Sequence, residues 1–99
     1  MEKKHKHFSF LIKPDGKKVE VSPKNGEDFS LEELQGYVEG YIQIVKLSQS
    51  EVLVINEEGK LKNLPLNKEA TFICKFRNAI FANDCIVGNA LLCHKSLIK

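Results

Sequence analysis

Residues 31–66 read LEELQGYVEGYIQIVKLSQSEVLVINEEGKLKNLPL, and helix, strand and turn signals follow one another through this stretch in order. Ser30-Leu31-Glu32-Glu33 is a capping box. The serine hydroxyl accepts from the amide three residues on, and the Glu33 carboxylate accepts from the Ser30 amide. Glu32 and Glu33 also put negative charge at the positive end of the helix dipole. Leu31, Leu34 and Val38 recur at helical spacing and are expected to form the buried stripe. Gly36 weakens the helix interior, and Gly40 is the expected stop. Residues 41–47 then alternate as a strand, with Ile42 and Ile44 on one face and Ile44 expected in the core. Residues 51–56, EVLVIN, are nearly continuously apolar, the pattern of a central strand covered on both faces. Asn56-Glu57-Glu58-Gly59 closes that strand in a turn, with Gly59 expected in a left-handed conformation. Pro65 makes residues 60–66 an edge piece or an irregular crossing.

Upstream, HFSFLI (7–12) and the alternating KKVEVS (17–22) flank the turn Lys13-Pro14-Asp15-Gly16, which reads as an antiparallel hairpin. Downstream, Asn67 is a candidate N-cap for a second helix running to about Phe81. Its buried face is expected at Ile73, Phe76 or Arg77, Ile80 and Phe81, with Ala70 and Cys74 flanking it. Residues 85–93, CIVGNALLC, form the last strand region, interrupted at Gly88-Asn89. The element order is ββαββαβ. Short connections favour antiparallel neighbours, so the expectation is an α+β fold: a twisted, mostly antiparallel sheet of about five or six strands with both helices packed on one face. Residues 1–6 read as a basic disordered tail, 7–95 as one domain and 96–99 as a C-terminal tail.

Ninety-nine residues leave room for one core. Area scaling gives roughly 65% of the unfolded surface buried, a margin at which association with another chain helps, so a homo-oligomer is expected. A net charge of +2 argues only weakly for nucleic acid, and the lysines at the two ends read as solvated tails. No long apolar run or secretory leader pattern occurs, so a soluble protein of the cytoplasm, with no membrane partner, is expected. Cys74, Cys85 and Cys93 sit in apolar contexts and read as buried thiols in a reducing compartment.

The motifs Leu31-x-x-Leu34-Gln35-x-x-Val38-x-Gly40-Tyr41-Ile42, Asn56-Glu57-Glu58-Gly59-Lys60-Leu61, Leu64-Pro65-x-Asn67 and Ile86-Val87-Gly88-Asn89-Ala90-Leu91-Leu92 together resemble a small domain-of-unknown-function family. That family occurs in bacteriophages, plasmids and Firmicute-type genomes. The resemblance spans roughly residues 8–93. One departure is Glu39, which stands where the family usually has glycine. The family assigns no activity. Its phage habit implies a protein that inhibits host immunity by binding a nucleotide-derived signal or a host protein.

No P-loop, G-x-G-x-x-G or C-x-x-C is present, and the paired glutamates are explained by the cap and the turn. No catalytic residue, metal site or cofactor is therefore expected. A ligand cleft is expected at the strand ends. There Asn56 and Asn67 would read a base or ribose, the Gly59 amide would approach a phosphate, and Lys60 and Arg77 would supply charge. Glu58 belongs to the same turn. Tyr41 offers a stacking ring and Gln35 a nearby amide. The leading expectation is a non-enzymatic protein that sequesters a nucleotide-like, phosphorylated signal. The first alternative is an inhibitor or adaptor of a host protein acting through an exposed strand edge. The second is a weak nucleic-acid binder.

Overall fold

A computed structural model describes residues 7–98. The elements are β1 (Ser9–Ile12), β2 (Lys18–Val21), α1 (Leu31–Val38), β3 (Ile42–Lys46), β4 (Glu51–Asn56), α2 (Lys68–Phe76) and β5 (Ala90–His94), closed by a 3-10 turn at Lys95–Leu97. One sheet has the strand order β2-β1-β5-β4-β3, with every neighbouring pair antiparallel. The fold is α+β, as the element order implies.

The sheet is covered on both faces, because β4 alternates between two cores. Val52 and Val54 join Leu34, Val38, Leu91 and Cys93 under α1. Leu53 and Ile55 join Val45, Leu47, Ala70 and Cys74 under α2. The helices therefore lie on opposite faces, not on one. α1 carries the chain across one face from edge strand β2 to edge strand β3, and α2, between β4 and β5, covers the other.

The capping box forms as expected, with Glu33 N donating to Ser30 Oγ at 3.0 Å and Ser30 N to Glu33 Oε1 at 2.8 Å. Leu34 and Val38 are buried, but Leu31 is exposed. Phe29, just before the cap, takes its place: it is fully buried and meets Tyr37 edge-on at 5.9 Å. This is a hydrophobic staple, the residue before the cap packing near Leu34 at the fourth helical position. α1 ends on Glu39, not Gly40, with Glu39 in the left-handed region at φ 64°. Gly40 serves a different need, because a Cβ there would meet the Asn56 amide nitrogen at 2.7 Å.

α2 stops at Phe76 instead of reaching Phe81, and its buried face is Ala70 and Cys74. Phe76 and Phe81 are exposed and Ile73 and Ile80 only half-buried. β3 buries Val45 while Ile44 is 42% exposed, so the expected core position falls one residue away. Residues 57–63 form turns, and Leu66 makes one isolated bridge to Val87. Residues 96–98 are not a tail: Leu97 enters the α1-side core, and Phe29 N donates to Leu97 O at 2.8 Å. The basic segment 1–6 lies outside the described residues.

Candidate functional site

The eight residues expected to line one cleft fall in four places. Gln35, Tyr41 and Glu58 line a cleft at the end of α1, together with Gly40 and Lys62, of about 170 Å³. Asn56, Gly59 and Lys60 line a separate hollow of about 180 Å³ on the α2 side. The turn over 57–63 divides the two, facing Glu58 and Lys62 to the cleft and Glu57, Lys60 and Leu61 to the hollow. Asn67 and Arg77 line neither. Both volumes fall below the roughly 300 Å³ of small-molecule pockets.

Most of these side chains hold the fold together. Asn56 donates through Nδ2 to Val38 O at 3.0 Å and accepts at Oδ1 from Glu58 N at 2.7 Å, tying the end of β4 to the end of α1. Asn67 is fully buried. Its Nδ2 donates to Ile12 O at 2.9 Å and Gly88 O at 2.8 Å, while Oδ1 accepts from Ala70 N at 3.1 Å as the cap of α2. Gly59 is buried, and its amide donates to Asn56 O at 3.2 Å, so it is not offered to a phosphate. Its backbone is not left-handed; glycine is needed because a Cβ would meet Val87 Cγ2 at 2.8 Å. Arg77 pairs with Glu51 at 2.8 Å. Lys60 pairs with Asp84, a contact that raises the lysine's pKa and lowers that of the carboxylate. Among the described residues, no three His, Cys, Asp or Glu side chains are grouped to hold a metal ion.

A different feature stands open. β3 is an edge strand whose one neighbour is β4. Glu57 N donates to Tyr41 O at 2.8 Å and Leu47 N to Glu51 O at 2.9 Å. In the observed register this makes Gln43/Ile55 and Val45/Leu53 the hydrogen-bonded pairs. The backbone amides and carbonyls of Ile42, Ile44 and Lys46 therefore point away from the sheet, and none of the described hydrogen bonds uses them. Apolar side chains flank this row. Ile44 lies on the α1 face, while on the α2 face Gln43, Ile80 and Phe81 line a groove, with Phe81 81% exposed. Leu61 stands 85% exposed at the neighbouring hollow. At the opposite edge, the β1/β2 register and the Lys13 N to Lys17 O bond turn Lys18 and Glu20 outward, both charged. Charged residues on an edge discourage added strands; the β3 edge has only Lys46.

The family model for a domain of unknown function (DUF3846) matches residues 8–96. The chain belongs to this family. No curated protein and no solved structure matches it. Family membership leaves the activity open.

Proposed function

We propose that this member of the DUF3846 family is a non-enzymatic interaction module that accepts an extended strand at the free edge of β3. The observation that carries this reading is the row of unused backbone groups at Ile42, Ile44 and Lys46, bordered by Ile44 on one face and Phe81 on the other. Strand addition takes its affinity from main-chain hydrogen bonds and its specificity from alternate side chains entering flanking grooves. The groove beside Gln43 and Phe81 offers such a receptor. The test is a display selection of random peptides against the purified protein. Selected peptides should alternate apolar and polar residues, shift the amide resonances of Ile42, Ile44 and Lys46, and lose binding to Ile44→Pro. Proline removes an outward donor and no ladder bond. Peptides that leave those resonances unmoved, or bind Ile44→Pro as well as wild type, would overturn the reading.

Capture of a nucleotide-like ligand is the second reading, supported by the exposed Tyr41 ring beside Lys62 and Gln35 in the α1 cleft. A cleft of this size suits one ring of a ligand, not a whole nucleotide. An intact nucleotide derivative released by heating lysate-incubated protein, and lost in Tyr41→Ala, would favour it over strand addition.

A further inference from the structure

We infer that the strand accepted by β3 is β3 of a second copy, giving a two-fold dimer in which two five-stranded sheets become one. This rests on the reading of β3 as a docking edge and goes beyond it by naming the partner. The argument is one of register. Centring an antiparallel pair on Ile44 sets Ile44 opposite Ile44 and Ile42 opposite Lys46. All three residues have their amides and carbonyls turned outward. Every free backbone group of the strand then meets a free group of the other copy. Any other register leaves at least one of the three without a counterpart within the strand.

Side chains agree with that register. A two-fold axis normal to the sheet keeps the α1 faces together, so the two Ile44 side chains meet across the axis as a cross-strand β-branched pair. On the other face the largely exposed Phe81 lines a groove with Gln43 and Val45 beside the edge that the second strand would join. The symmetry closes on itself, so the open edge is consumed without propagating into fibres.

Two measurements on the full chain test this. Sedimentation equilibrium should show a dimer for wild type and a monomer for Ile44→Lys, which sets two like charges across the axis, with the melting temperature nearly unchanged. In a Cys85→Ser background, Ile44→Cys should link two chains under mild oxidation. Cα atoms of a hydrogen-bonded antiparallel pair lie about 5.5 Å apart, within disulfide reach. Lys46→Cys should not link, because four residues of strand put its two copies about 14 Å apart. A dimer that persists in Ile44→Lys, or links equally through both cysteine variants, would place the contact on another surface and overturn the inference. A wild-type monomer overturns it too. If that monomer still takes selected peptides at Ile42, Ile44 and Lys46, the docking-edge reading stands alone; if it takes none, both fall.

Discussion

Asn67 holds three backbone groups from three parts of the chain, the end of β1, Gly88 in the bend ahead of β5 and the first turn of α2. Removing its amide uncaps α2 and takes a buried donor from Gly88 O and a second one from Ile12 O, so Asn67→Ala should cost about 2–4 kcal/mol in urea unfolding. Asn56→Ala should cost about 1–3 kcal/mol, because only Val38 O and Glu58 N lose their main partner. Wild-type stability in both would contradict their structural role. The sequence marked these asparagines as special without showing which way they serve. A cap residue, a base reader and a buried cross-tie are the same residue type in the same turn context, and only burial separates them. The cysteines divide in the same way. Burial pushes the Cys74 thiol up to about 11 and the Cys93 thiol up to about 12, while Cys85 is half-buried beside Asp84. Mass spectrometry after native alkylation at mildly alkaline pH should find one label, on Cys85; a label on Cys93 would show the α1-side core to be open.

At the level of the element, α1 was legible because capping is local: Ser30 and Glu33 specify their bonds within four residues. Hydrogen bonds from the Ser30 amide, then the Lys24 amide, hold the Glu33 carboxyl below its usual range. A lowered folded pKa means that the cap's contribution is full above the unfolded value of 4.5 and is lost as pH falls through the folded one. The Ser30 amide should therefore stay protected somewhat below pH 4.5 and then exchange faster, a transition absent in Glu33→Gln. The helix stop was less legible, since Gly40 is the obvious candidate while Glu39 takes the left-handed turn. Glu39→Gly should relieve that conformation and add about 0.5–1 kcal/mol to the unfolding free energy; a loss would mean the Glu39 side chain has a compensating role. Face assignment in β3 failed for a clear reason. An edge strand is apolar on both sides when one side meets the core and the other is an open surface, so alternation does not say which is which. Ile44→Ala should consequently cost less than about 1 kcal/mol, and Val45→Ala more, about 1–3 kcal/mol.

At the scale of the whole molecule, the class and element order follow from local patterns, whereas the placement of the helices is set by which core each one packs into. Nothing in Ser30 or Asn67 says that the chain crosses the sheet between its two edges before β3. α1 makes that crossing over one face, α2 packs on the other, and β3 stands at the rim. Both sheet edges are therefore exposed, but only one is guarded by charge in every outward position. No described helix is long and apolar enough to cross a membrane. Amide hydrogen exchange along β3, measured as protein concentration is raised, tests the central claim most directly. The account predicts that Ile42, Ile44 and Lys46 exchange fast in dilute protein and become protected together as concentration rises, while Gln43 and Val45, already bonded to β4, change little. Exchange at Ile42, Ile44 and Lys46 that stays fast at every concentration and with every selected peptide would contradict it.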